Sequence, residues 1–184
     1  NGERGGEGGE WHAVGKLAGV IGAGISDGSV TVDLTTQEDF RIGDRINLAS
    51  GEVEIHSVNT GVPHAVLFVD DADEAMVSEL GREIRHHDHY APAGTNVNFV
   101  QRTGDGTIRV RTYERGVGET LACGTGVSAA ALITAKLHGC GSPVRVRVLG
   151  GDDLSVAFEA DGDTFANVQL TGPAEFVFSG QIEI

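Results

Sequence analysis

The run Val127-Ser128-Ala129-Ala130-Ala131-Leu132-Ile133 constrains this chain more than any other stretch. A helix built from it is apolar nearly all round, so it has no face to offer to water and other elements must enclose it. The segments on either side of it alternate between polar and apolar residues and are broken by glycine and aspartate turns, which reads as many short strands. The expected fold is therefore α+β, with a many-stranded antiparallel or mixed sheet wrapped around a central apolar helix.

The residues that lead into this helix carry chemistry. Glu119-Thr120-Leu121-Ala122-Cys123-Gly124-Thr125-Gly126 places a cysteine at the end of a loop and at the helix start. The first N–H groups of a helix have no internal acceptors, and the helix dipole gives that end partial positive charge. A thiol there is expected to have a lowered pKa, because the site favours the thiolate. The same N–H groups, left open by glycine, suit a carboxylate or phosphate. The alternative is an inert cysteine buried at a strand-to-helix turn.

Asn1 to Glu10 is glycine and charge with little that is apolar, and residues 1–15 are expected to be a disordered or linker segment. Without an initiator methionine, the sequence reads as a piece of a longer protein. Residues 16–34 hold two strands, Leu17–Ile25 and Ser29–Leu34, with an Asp27-Gly28 hairpin between them. Residues 35–171 form the main domain, with strands expected at Ile42–Leu48, Val53–Asn59, Ala65–Val69, Thr95–Val100 and Ile108–Glu114. More strands follow the helix at Val144–Val148, Leu154–Phe158 and Ala166–Leu170, and residues 172–184 carry a terminal strand, Glu175–Ile184. Asp70–Arg85 has Met76, Leu80 and Ile84 on one face and is expected to be a helix.

The formal net charge of −14 argues against nucleic-acid binding, which needs Lys and Arg against phosphates. No apolar run approaches the ~20 residues of a membrane span, and no basic-then-apolar leader opens the sequence. Two cysteines in 184 residues suit a reducing compartment, so a cytoplasmic location is expected. His86-His87-Asp88-His89 is a tempting metal motif. Adjacent histidines do not converge on one ion as residues at i and i+4 do, and no metal site is assigned.

Upstream of the cysteine, the run Tyr113-Glu114-Arg115-Gly116-Val117-Gly118-Glu119-Thr120-Leu121-Ala122-Cys123-Gly124-Thr125-Gly126 resembles the second cysteine motif of the diaminopimelate epimerase family. The likeness extends from about Leu17 to Ile184. It implies one half of a pseudo-symmetric two-domain epimerase fold, with the active site in the cleft between the halves. It also implies an isomerase that interconverts LL- and meso-diaminopimelate in lysine and cell-wall precursor biosynthesis. The family uses no cofactor and no metal: one thiolate removes the α-proton and a second thiol returns a proton on the opposite face.

Carried over by position, the resemblance makes Cys123 the catalytic cysteine of this half. Gly124 and Thr125 match the backbone donors to the α-carboxylate, and Glu114 and Arg115 match the Glu-Arg pair beside it. His64, in Gly-Val-Pro-His, matches a histidine that tunes thiol pKa, and Asn96 matches a substrate-binding asparagine. These roles suit the reaction, because charge that builds next to a carboxylate calls for fixed N–H donors and a guanidinium.

Two departures stand out. Val62 occupies a position where the family often has Asn, and no Cys-Gly-Asn-Gly motif is present to supply the second thiol. Cys140 cannot replace it, since an intervening helix would hold the two sulfurs about 20 Å apart. The implied partners are the small-molecule substrate and the missing N-terminal half of the same protein, and this chain alone is expected to be inactive. A homodimer is compatible with the resemblance, although the residues themselves do not give an oligomeric state. The competing readings are a related cofactor-independent racemase and a non-catalytic carboxylate-binding module.

Overall fold

A computed structural model describes residues 10–16, 19–26, 28–35, 37–104, 106–175, 177 and 179–181. Among them, twelve strands form one mixed sheet that bends around a helix. The strands are β1 (Glu10–Lys16), β2 (Gly19–Ser26), β3 (Ser29–Asp33), β4 (Glu38–Leu48), β5 (Gly51–Asn59), β6 (Pro63–Phe68), β7 (Asn96–Gly104), β8 (Thr107–Glu114), β9 (Gly118–Thr120), β10 (Val144–Val148), β11 (Asp153–Asp161) and β12 (Thr164–Pro173). The helices are α1 (Val77–Arg85) and α2 (Gly124–His138). The sheet runs β1-β2-β3-β12-β11-β10-β8-β7-β6-β5-β4, with β9 paired to β8. The α+β class expected from the sequence is the one found.

α2 is the hub. Val127 and every residue from Ala129 to Ile133 are buried, and they pack on Val58, Val66, Val100, Val110, Val146 and Val156 from six different strands. The small residues of the helix let these β-branched side chains close over it on most sides. Gly139 ends the helix in the left-handed conformation at φ 66°, and its N–H bonds to the Ala135 carbonyl. The other face of β5–β7 carries Ile55, Ala65, Leu67, Val97 and Phe99, which form a second core with Val77 and Ile84 of α1. Side chains that alternate along β6 and β7 therefore belong to different cores, which fixes the face of each residue discussed below.

Several expectations need correction. The segment expected to be a linker contains β1, whose backbone pairs with β2 from Glu10↔Ile25 to Lys16↔Gly19. Hydrogen bonding along a sheet edge holds it there, which residue composition does not reveal. β3 pairs with β12, so segment 16–34 is hydrogen-bonded into the same sheet as the main domain. Of the expected terminal strand, Phe176, Phe178 and residues 182–184 lie outside the described residues, and the described residues after Pro173 carry no strand. Leu17, Ala18, Asp27, Asp105 and residues 1–9 lie outside the described residues.

The helix expected from Asp70 begins only at Val77. Arg111 on β8 explains the delay: its guanidinium donates to the carbonyls of Ala72 (2.8 Å) and Asp73 (3.0 Å). Arg109 grips the Asp73 carboxylate with two bonds of 2.7 Å. Those carbonyls are held as a loop and cannot enter a helical ladder. The buried face of α1 is Val77, Gly81 and Ile84, whereas Met76 is exposed. Gly81 is required there, because a Cβ at that position would lie 2.5 Å from Tyr113 Cβ.

Candidate active site

α2 begins at Cys123, which is its N-cap in extended conformation (φ −134°, ψ 106°). The hydrogen bond from Val127 N–H to the Cys123 carbonyl, at 2.8 Å, is the first of the helix. The N–H groups of Gly124, Thr125 and Gly126 thus have no helical acceptors. The packing is close at both glycines. A Cβ on Gly124 would lie 2.9 Å from Leu170 Cδ2, and one on Gly126 would lie 2.4 Å from Asn98 Oδ1.

The thiol does not behave as the sequence suggested. Cys123 is only 9% exposed, and burial pushes its pKa up, with the Glu114 carboxylate adding to the rise. The Thr125 hydroxyl, with its oxygen 3.5 Å from Sγ, and the N–H groups of Gly126 and Thr125 pull the other way. Together these donors offset the burial only in part. The expected depression is therefore corrected to a rise, because a thiolate in a poorly solvated site loses more than the partial charges return.

Behind the sulfur lies a layer of buried polar side chains. Thr60, His64, Asn98 and Thr112 come from the end of β5 and from β6, β7 and β8, on the sheet face that α2 covers. His64 Nε2 is 3.0 Å from Thr125 Oγ1, and His64 Nδ1 is 3.2 Å from Asn98 Nδ2. Asn98 Nδ2 also reaches the Ala65 carbonyl at 2.9 Å, and Thr112 Oγ1 donates to Asn98 Oδ1 at 3.0 Å. Thr60 Oγ1 donates to the Thr125 carbonyl at 3.0 Å and ties the helix start to the sheet. Burial, with a smaller contribution from the Arg115 charge, pushes the His64 pKa down to about 3, so its imidazole is neutral at ordinary pH.

The turn after β8 brings in the remaining residues. Arg115 N–H donates to Asn96 Oδ1 at 2.7 Å, so Asn96 holds the Glu114-Arg115 turn with its carbonyl oxygen. Glu114 Oε1 accepts from Thr120 Oγ1 at 2.6 Å. Arg115 is exposed, and its guanidinium donates to the Ala93 carbonyl at 3.2 Å. The hairpin itself is clamped by Arg111, which bonds both Glu119 oxygens at 2.7 and 3.0 Å.

Of the residues singled out from the sequence, Cys123, Gly124, Thr125 and His64 share one cluster, and Glu114 acts on Cys123 electrostatically. Asn96 and Arg115 meet at the neighbouring turn. The sequence reading missed Thr60, Asn98, Thr112 and Thr120. The Asn96-Val97-Asn98 alternation was the available signal for Asn98, since residues two apart on a strand share a face.

The adjacent histidines go separate ways. His86 Nδ1 is 2.9 Å from the Arg82 carbonyl, His87 Nδ1 accepts from His89 N–H, and His89 Nε2 lies 3.2 Å from Asp44 Oδ2. No helix among the described residues is long and apolar enough to cross a membrane.

Residues 56–177 match the family model described as "Diaminopimelate epimerase". Curated relatives include the diaminopimelate epimerase of Hydrogenobaculum sp. (strain Y04AAS1), 45% identical over 90% of this chain and 60% of its own length. That of Aquifex aeolicus (strain VF5) is 42% identical with the same two coverages. The chain thus spans about three-fifths of the length of these relatives. Among solved structures, a hydroxyproline epimerase from Agrobacterium vitis superposes with a TM-score of 0.72 at 20% identity, over 93% of this chain and 59% of that one. A probable proline racemase from Agrobacterium radiobacter K84 gives 0.71 at 19%, over 99% and 63%. At these identities the structural likeness speaks to fold alone.

Proposed function

We propose, from the premise that this chain belongs to the diaminopimelate epimerase family, that it supplies one half of an amino-acid epimerase site acting on diaminopimelate. The observation that carries this reading is the cysteine at the start of α2. There a sulfur, three N–H groups without helical acceptors and the Thr125 hydroxyl meet at one point.

In this reading the α-carboxylate of the substrate docks on N–H groups at the α2 terminus, with Arg115 beside it. When Cys123 acts as base, the Cα–H bond breaks, its proton passes to Sγ, and the electron pair delocalises into the carboxylate. The N–H donors stabilise the charge that develops there. A second thiol on the opposite face, from residues outside this sequence, then gives a proton to carbon and completes the inversion. In the reverse direction Cys123 is the donor. No cofactor takes part. Glu114 adjusts the charge around the sulfur, and Asn96 keeps the Glu114-Arg115 turn in register with it.

The test is mass-spectrometric measurement of deuterium entering the α-carbon of diaminopimelate in D2O, alongside conversion of LL- to meso-isomer. This chain alone should give at most slow exchange with retention, abolished by Cys123→Ala. Joined to a segment carrying an opposing cysteine, it should give inversion. Efficient inversion by this chain alone, or exchange that survives Cys123→Ala, would overturn the two-thiol account.

A further inference from the structure

The polar layer under α2 has a direction, and that direction settles which group faces the sulfur. The Ala65 carbonyl can only accept, so the Asn98 atom 2.9 Å from it must be the amide nitrogen. Its oxygen is then the atom that takes the Thr112 hydroxyl proton. One amide hydrogen goes to Ala65, and the other points at His64 Nδ1, 3.2 Å away. Nδ1 must therefore accept and carries no proton.

We infer that Asn98 fixes His64 as its Nε2–H tautomer, so that hydrogen bonds run one way, Asn98 to His64 to Thr125 to Cys123, and present the Thr125 hydroxyl proton to the sulfur. With Nε2–H donating to Thr125 Oγ1 at 3.0 Å, the threonine's own proton is left to point at Sγ, 3.5 Å off. The opposite direction, in which the thiol proton passes through Thr125 to the imidazole, needs a bare Nε2. The proton would then sit on Nδ1 and face the Asn98 N–H group at 3.2 Å, donor against donor. An imidazolium meets the same clash and adds a charge in a buried site beside Arg115, against which its depressed pKa already speaks. His64 is consequently a positioning residue that acts through Thr125, and it does not take the proton of Cys123. Asn98 positions His64 in turn. Gly126 belongs to the same device, since any side chain there would strike the Asn98 oxygen and approach the sulfur.

The charges that act on this chain of bonds come from the end of β8, Glu114 on the sulfur and Arg115 on the imidazole. The neighbours from the turn after β5, from β7 and from β12, namely Thr60, Asn98 and Leu170, are uncharged. The inference deepens the reading of Cys123 as a proton-transfer group and rests on it for its purpose, but not for its test.

The deciding measurement is the histidine tautomer. In 15N-labelled protein, long-range proton–nitrogen correlation spectra should show His64 with a protonated Nε2 and a bare Nδ1 from about pH 5 to about pH 9. Asn98→Asp, which places an acceptor opposite Nδ1, should move the proton to Nδ1. In parallel, Cys123 alkylation by iodoacetamide is followed against pH, with Cys140 as internal reference. Thr125→Val should slow it on the order of five-fold below the thiol's titration, the factor a hydrogen bond of about 1 kcal/mol supplies. Thr125→Ser should restore it.

A wild-type His64 protonated on Nδ1 overturns the inference, and so does unchanged alkylation in Thr125→Val or failed rescue by serine. The wild-type spectrum decides even if Asn98→Asp does not fold. Neither readout requires turnover. Absence of α-proton exchange once the chain is joined to a segment carrying an opposing cysteine, with the Nε2–H tautomer intact, would overturn the proposed function alone, and exchange there with an Nδ1–H imidazole would overturn this inference alone.

Discussion

His64 makes a quantitative claim on stability. In the unfolded chain its imidazole titrates near an ordinary 6.5, whereas in the fold it stays neutral down to about 3. Between those values the unfolded state binds a proton that the folded state refuses, so stability falls as pH falls. The contribution is intact above 6.5 and is lost progressively through the window from 6.5 to about 3. At about 1.36 kcal/mol per pH unit, the loss between about pH 8 and about pH 5 comes to roughly 2 kcal/mol. Across the whole window it approaches roughly 5 kcal/mol.

The perturbation is His64→Gln, which keeps an N–H donor near Thr125 and removes the titration. Denaturant unfolding of both proteins at several pH values gives the comparison. The wild type should lose roughly 2 kcal/mol more than the variant on going from about pH 8 to about pH 5. His56 and His138, whose pKa values burial also lowers, are present in both proteins and cancel in the difference. If the two curves run parallel within about 0.5 kcal/mol, the interior around His64 is not the dry, Asn98-capped site described here. Direct titration of the imidazole resonance checks the same point without a variant, and it should stay in its neutral form down to about pH 4.

Other outcomes follow from single contacts. Gly81→Ala forces a methyl group to within 2.5 Å of Tyr113 Cβ and should destabilise the fold by about 1–3 kcal/mol in thermal or denaturant unfolding. Arg111→Met removes the clamp on Glu119 and on the 72–73 carbonyls, and hydrogen exchange should rise at β9 and at the loop before α1 while α2 stays protected. In an active assembly, Cys123→Ala should abolish turnover and leave diaminopimelate binding largely intact by calorimetry. Arg115→Ala should weaken binding by roughly 1.5–3 kcal/mol; equal loss of binding in both would place the thiol in the binding pocket.

How far the sequence reached depended on whether a feature was local. The apolar run at Val127–Ile133 announced a buried helix because burial on all sides leaves its mark in every residue. The strands β4 to β8 and β10 to β12 were legible from alternation and turn residues. β1 was not, since pairing at a sheet edge is a property of the backbone and its partner, and the glycine-rich neighbourhood masked it. The late start of α1 was hidden for a related reason: the arginines that hold its loop open lie on β8, more than thirty residues away. At the site, Cys123, His64 and Thr125 were picked out from the chain. Asn98 and Thr112 were passed over because a polar residue inside a strand shows its worth only when the opposite residue is known, and Asn98 faces Thr112 across β7 and β8.

The raised thiol pKa bears on what this half-site is for. A sulfur with a strongly depressed pKa makes a ready base but a poor acid, and proton transfer is most efficient when a group can exist in both forms near the working pH. The proposed epimerase would run in both directions, so the sulfur that accepts a proton in one would have to give it up in the other. Burial and Glu114 favour the thiol of Cys123, while Thr125 and the N–H groups of Gly126 and Thr125 favour the thiolate. These influences oppose each other at the same atom. A carboxylate arriving at the α2 terminus would occupy donors that otherwise serve the sulfur and would tilt the balance further toward the thiol. The Thr125 hydroxyl, held in place by His64 and Asn98 from inside the sheet, stands apart from those amides and keeps facing the sulfur. That separation is why a buried neutral histidine suits this position better than a charged one: it holds a donor on the sulfur without competing for the substrate's charge.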